Sequence, residues 1–239
     1  GSGKSPLCAG IGLYLLTADN EPSAEVYAAA VTRDQAKIMF VDAEKMVTAS
    51  NALSSRLILT QNNIAYPTGQ SFFRAISSEG RSLDGKRVHG ALIDEVHEHP
   101  TPVVVEKMRA GTKGRRQALI FMITNSGWDR TSVCWDRHEY GIKVLEGTLT
   151  DDSYFAYICA LDEDDKPFED EACWIKANPN LGVSIKPRYL REQVTEARGM
   201  PSKRNIVARL NFCQWTQAME RWLNPDVWEA CNGPFPQRH

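Results

Sequence analysis

The sequence predicts an α/β fold built on a mainly parallel central sheet. Three observations lead there. Strand-like and helix-like patterns alternate early in the chain, which argues for parallel strands joined by helical crossovers. Gly90-Ala91-Leu92-Ile93 is an apolar run ending in Asp94-Glu95, and buried parallel strands read as apolar runs. Gly1-Ser2-Gly3-Lys4-Ser5 reads as the tail of a phosphate-binding loop, G-x-x-x-x-G-K-[ST]. Ligands of open α/β sheets bind at the carboxyl ends of the strands. Two carboxylates placed there are costly unless they hold a cation or move protons. A metal–phosphate site uses both halves.

The elements follow in order. Lys4 to Leu16 repeats apolar residues at helical spacing (Leu7, Ile11, Tyr14, Leu15), with Pro6 tolerable in the first turn. A helix starting there points its amide donors at the loop, which suits a phosphate. Glu25 to Val31 reads as a buried strand. Thr32 then opens a helix with Gln35 in capping-box position and Ala36, Met39, Phe40, Ala43 and Val47 as its apolar stripe. Leu57–Leu59, Ile64–Tyr66 and Phe72–Ile76 are short runs divided by turn residues, the pattern of an antiparallel meander. Ser77 to Lys86 is a loop holding Arg81, and Arg87 follows it. After the Asp94-Glu95 strand, Pro100 and Pro102 open a helix to about Ala110. Gln117 to Ile123 is a second buried strand ending in Thr124-Asn125-Ser126-Gly127, and Arg130 to Tyr140 reads as helix. Beyond that the signal weakens. Tyr154 to Leu161 reads as a strand, Asp162 to Asp170 as an acidic solvated loop, and Pro187–Ala197 and Ser202–Phe212 as helices. The proline-bearing tail reads as a connector.

Composition sets the bounds. At 239 residues the chain fits one large domain, or one with a small appendage. A net charge of −2 gives no overall basic field, so any nucleic-acid contact must be a local patch. Two clusters qualify: Lys107, Arg109, Lys113, Arg115 and Arg116, then Arg198, Lys203, Arg204 and Arg209. Charged helix faces are more often simply solvated. The six cysteines show no C-x-x-C spacing and read as reduced thiols without a zinc site. No apolar run approaches the roughly 18 residues of a membrane span.

The chemistry assigned to these residues is specific. Lys4 would neutralise phosphate oxygens, and the Ser5 hydroxyl would ligate Mg²⁺. Asp94 would hold the metal directly or through water. Glu95 could act as general base towards an attacking water. A polar side chain in Thr124-Asn125 would sit near the terminal phosphate. His97 and His99 form an H-x-H that reads as ordinary loop rather than metal site. Either half of the phosphate–metal pair is weak by itself. The alternatives are a cloning remnant at Gly1-Ser2, a helix cap with an exposed carboxylate pair, and a strand-end turn at Asn125–Gly127.

Together, GSGKS, SLDGKRVHGALIDEVHEH, ITNSG, RLNFCQW and ERWLNPDVWEAC resemble the large terminase subunit of tailed bacteriophages, over nearly all of the chain. The resemblance implies a P-loop NTPase of the additional-strand, RecA-like class, with an ATPase core over residues 1–145. Residues 146–239 would form a small lid and a connector towards a nuclease domain. It implies ATP and Mg²⁺ as cofactors. Gly1, Ser2, Gly3, Lys4 and Ser5 would bind the nucleotide, Ser5 and Asp94 the metal. Glu95 would be the catalytic base, and Thr124-Asn125 the element coupling hydrolysis to movement. A neighbouring subunit's arginine usually completes such a site, and Arg81 is the candidate. The implied partners are double-stranded DNA, a portal protein, the small terminase subunit and further copies of the chain in a homo-oligomeric ring, in the host cytoplasm during virion assembly. The front of the phosphate loop and its preceding strand are missing from the match, and no set of strand-borne acids follows residue 170, so DNA cleavage by this stretch is not expected. Asp94-Glu95-Val96-His97 also fits a DExH helicase box. A helicase needs a second RecA-like domain, for which the remaining chain is short and weakly patterned.

Overall fold

The computed structural model describes residues 3–77 and 83–216. They divide into two compact units, one of residues 3–125 with 131–143, the other of residues 126–130 with those from 144 on.

The first unit opens with α1 (Lys4–Thr17) and β1 (Glu25–Ala30). Next comes α2 (Arg33–Ala49), whose start is secured as expected: the Thr32 side chain accepts the Gln35 N–H, and the Gln35 side chain returns to the Thr32 backbone. A short α3 (Asn51–Ser54) leads into β2 (Ile58–Thr60), β3 (Asn63–Tyr66) and β4 (Ser71–Ser77). These three strands pair antiparallel, as the meander pattern predicts. Then follow β5 (Val88–Ile93), α4 (Val103–Ala110), β6 (Leu119–Met122) and α5 (Val133–Leu145). The last begins later than the sequence suggests, because Ser132 accepts the Trp135 N–H and caps it there.

The sheet order is β2-β3-β4-β1-β5-β6. β1 lies between β4 and β5, parallel to both, and β5 is parallel to β6. Side chains alternate across the sheet. Val26, Ala28, Phe73 and Leu92 enter one core with Leu13 and Leu16 of α1 and Met39, Phe40 and Val47 of α2. α1 lies so close to the sheet that a Cβ on Gly12 would sit 2.8 Å from Leu92 Cδ1. Behind the amino ends of the strands, the Arg115 guanidinium donates to the carbonyls of Pro22, Ser23 and Arg87 and to Glu21 Oε1.

The second unit contains α6 (Trp174–Ala177), α7 (Pro187–Gly199) and α8 (Arg204–Phe212). Trp174, Leu190, Val194, Val207 and Phe212 form its core, and Trp174 Nε1 donates to the Pro167 carbonyl at 2.7 Å. The strand expected at Tyr154–Leu161 is not formed. A strand exists only with a partner, and no described segment pairs with this one, which leaves Phe155 81% and Tyr157 74% exposed. The acidic loop is more than solvated: Lys176 bridges Asp162 and Asp165, and Phe168 is buried. The five described cysteines carry free thiols. Among the described residues no helix is long and apolar enough to cross a membrane.

Candidate active site

The carboxyl ends of β5 and β6 and the start of α1 carry the residues singled out from the sequence. Gly3 precedes α1 with φ +74°, a left-handed conformation that favours glycine. Lys4 and Ser5 occupy the first turn. Lys4 Nζ donates to Asn125 Oδ1 at 2.7 Å, joining residues 121 positions apart. Gly1, Ser2 and Arg81 lie outside the described residues.

Asp94 follows β5 and is 7% exposed. One of its oxygens accepts the Glu95 N–H at 2.8 Å. Burial raises its pKa above the usual carboxylate value, opposed by that N–H, by Lys4 and by His99. Glu95 is the next residue, held at φ +46°, ψ +53°. A left-handed glutamate stores about 1–3 kcal/mol of backbone strain. Burial raises its pKa too, against the pull of Lys4. Asn125 follows β6, the sheet neighbour of β5, so its bond to Lys4 sets the ammonium at the edge that carries Asp94 and Glu95. Glu95 Oε2 is buried and accepts no hydrogen bond. His97 Nδ1 lies 3.2 Å from it but is paired with Thr124 Oγ1 at 3.0 Å.

Thr124 ties the two strand ends together. Its hydroxyl receives the His97 backbone N–H at 3.0 Å and donates to the Asn125 carbonyl at 2.8 Å. His99 is buried, donates to the Asp94 carbonyl at 3.2 Å, and has its pKa lowered by burial. The two histidines therefore brace the loop. Two thiols border the site. Burial pushes Cys8 up to about 12, with Asp94 and Lys4 also acting on it, and burial raises Cys134. Burial thus favours the neutral thiol at both.

The arrangement fits Mg²⁺. Among the described residues no group of three or more His, Cys, Asp or Glu could hold a metal. Mg²⁺ at a phosphate site needs fewer: one or two protein oxygens, with substrate phosphates and waters completing the shell. Asp94 is a buried carboxylate with no ion pair among the described residues, which suits a cation. Sequence reasoning missed the contribution of Ser126. It belongs to the second unit, where its hydroxyl bonds the Arg209 and Gln214 carbonyls of α8 and its extension at 3.2 and 3.0 Å.

A mainly parallel sheet with a lysine-bearing helix start beside an acidic strand end is an α/β fold of the RecA-like P-loop class. Comparison with known proteins then fixes the family. The family described as "Terminase large subunit, ATPase domain" matches residues 1–143, and "Terminase large subunit, endonuclease domain" matches residues 148–239. The chain belongs to the terminase large subunit ATPase family. It is 25% identical to the large terminase subunit of Enterobacteria phage HK97 over 98% of its own length and 46% of that protein's. It is 32% identical to Protein YmfN of Escherichia coli K12 over 63% of its length and 33% of that protein's. The chain thus spans less than half of these curated relatives. The crystal structure of the HK97 large terminase superposes with a TM-score of 0.79 at 22% identity, covering 96% of this chain and 48% of that one. The large terminase of a thermophilic bacteriophage, in complex with ADP, superposes with a TM-score of 0.52 at 16% identity, covering 80% of this chain and 42% of that one. No finding favours the helicase reading.

Proposed function

We propose that this chain is the ATP-hydrolysing motor domain of a viral terminase that drives double-stranded DNA into procapsids. One observation carries the reading: the Lys4 ammonium donates to the Asn125 amide oxygen at 2.7 Å, and Asn125 follows the strand beside the one that ends at Asp94-Glu95. The ADP bound by the thermophilic phage's large terminase supports a nucleotide ligand.

The residues divide the work. Lys4 exchanges the neutral Asn125 oxygen for phosphate oxygens, a stronger charge-assisted contact. Ser5 and Asp94 would hold Mg²⁺, which would neutralise charge on the phosphates. Glu95 presents an oxygen with no hydrogen bond, and its raised pKa improves it as acceptor of a proton from water. Thr124 and Asn125 report the departure of Lys4, and the peptide after Asn125 leads directly to Ser126, which is bonded to the α8 region of the second unit. Arg81 is retained as the arginine acting on a neighbour's site in a homo-oligomeric ring, assembled with portal protein and small terminase subunit in the host cytoplasm. DNA cleavage is not part of the proposal. The endonuclease-domain match spans residues 148–239, of which 217–239 lie outside the described residues.

Glu95→Gln tests the reading. Turnover of ATP should fall by about 10²–10⁴-fold, the usual contribution of a general base, with ATP binding retained. Turnover close to that of the parent rejects Glu95 as base.

A further inference from the structure

A cleft of about 490 Å³, whose lining includes neither Lys4 nor Asp94, is lined by Arg33, Arg74, Lys86, Thr60, Asn62 and Asn63. The three cations come from the start of α2, from β4 and from the turn before β5. Tyr27, Phe72 and Arg74 alternate with Val26, Ala28 and Phe73, so they point away from the core under α1 and α2. Among the described residues no carboxylate lines the cleft, and none of the three cations forms an ion pair. Glu25 borders the cleft, where it accepts from the Tyr27 hydroxyl and the Arg87 N–H without an ion pair to any of the three cations, and Asp84 pairs with Lys107. Two of the cations are held in place. The Arg74 guanidinium stacks 4.0 Å over Phe72 while its Nε donates to Asn63 Oδ1 at 3.0 Å, and the Lys86 ammonium sits 4.9 Å over Tyr27.

We propose that this cleft binds backbone phosphates of duplex DNA. Three cations outside any ion pair, flanked by the side-chain amides of Asn62 and Asn63, match phosphodiester oxygens. Single strands are gripped by stacking bases on open aromatic faces. Here Phe72 and Tyr27 already lie beneath cations, and Tyr27 is buried. The chain's net charge of −2 makes this a local attraction, not a general field. The choice of polymer rests on the motor reading above; the location rests on the cleft alone.

Binding of a fluorescent duplex of about 20 base pairs, followed by anisotropy at several salt concentrations, reads phosphate contacts as the slope of log K against log salt, about 0.9 per contact. Replacing Arg33→Gln, Arg74→Gln and Lys86→Gln together should lower that slope by about 2–3. A control triple, Lys45→Gln, Lys166→Gln and Arg188→Gln, removes exposed charges elsewhere and should leave the slope unchanged. Arg33→Lys with Arg74→Lys should retain most of it, which separates lost charge from lost folding. ATP binding, measured on the same variants, should not change. The proposal is overturned if the cleft triple keeps the parental slope, if both triples lower it equally, if the parent prefers single strands, or if the cleft triple loses ATP binding in place of duplex binding. Failure of the motor reading is a separate result: duplex binding through the cleft without ATP turnover.

Discussion

Gly12 sets how closely α1, and Lys4 at its head, approaches the sheet. A Cβ there would meet Leu92 Cδ1 at 2.8 Å and two Phe73 ring carbons at 3.0 Å. Leu92 and Phe73 are both fully buried, so neither has open space to retreat into. Gly10, half a turn earlier on the same helix, has nothing within 4 Å of such a Cβ. Replacing a helical glycine by alanine gains about 1 kcal/mol. Gly10→Ala should keep that gain. Gly12→Ala sets it against an overpacking cost of about 1–3 kcal/mol, for a net change from about zero to a loss of about 2 kcal/mol. Subtracting one variant from the other removes the shared helix contribution and leaves the packing cost. At about 2–4 °C per kcal/mol for a chain of this size, the two melting temperatures should differ by about 2–12 °C. Thermal and urea unfolding followed by circular dichroism supply the comparison. Gly12→Ala should also weaken ATP binding, because Lys4 moves with α1. Equal stabilisation by both variants would refute the claim that close packing at Gly12 fixes the helix.

Other outcomes follow from the same geometry. Burial raises the Asp94 and Glu95 carboxyls above 3.8 and 4.5, so the folded chain holds those protons more tightly than the unfolded chain does. Their contribution to stability is fully present below those ordinary values and is lost as pH rises through the raised ones. Glu95→Gln should lose part of that decline, as urea midpoints from about pH 4 to about pH 8 will show; parallel curves would count against burial as the cause. Asn125→Asp turns the Lys4 contact into an ion pair that competes with phosphate, and should weaken ATP binding about tenfold by calorimetry. Unchanged affinity would mean that Lys4 is not a phosphate ligand. Arg115→Ala leaves Glu21 and several carbonyls without their donor, and should cost about 3–5 kcal/mol in urea unfolding with no change in the salt slope of DNA binding. A loss of slope would return Arg115 to the DNA surface.

What could be read from the residues is what has a local signature. The Thr32–Gln35 box, the apolar run before Asp94, and the turn residues of the meander each act over a few positions, and each forms where expected. The Tyr154–Leu161 run shows the limit of that logic, since apolar character does not supply a pairing neighbour. The basic clusters show it again. Arg115, Arg198 and Arg209 look available in the sequence, yet Arg115 holds loop carbonyls, Arg198 donates to the Phe168 carbonyl, and Arg209 is 8% exposed. The cleft cations Arg33, Arg74 and Lys86 lie far apart in sequence and meet only because β4 and β5 flank β1. Lys4 and Asp94 stand out in the sequence by residue type and position. The hydrogen bond from Lys4 to Asn125, and the left-handed turn at Glu95, depend on tertiary geometry that no short motif encodes.

That turn has an effect on how abruptly the chain leaves the sheet. β5 ends at Ile93, and a tight 3₁₀ turn is under way by Val96. An extended Glu95 would let the backbone run onward and extend the rim. Reversed at once, the chain leaves a carboxylate standing on a blunt parapet, with its footing decided before any ligand arrives.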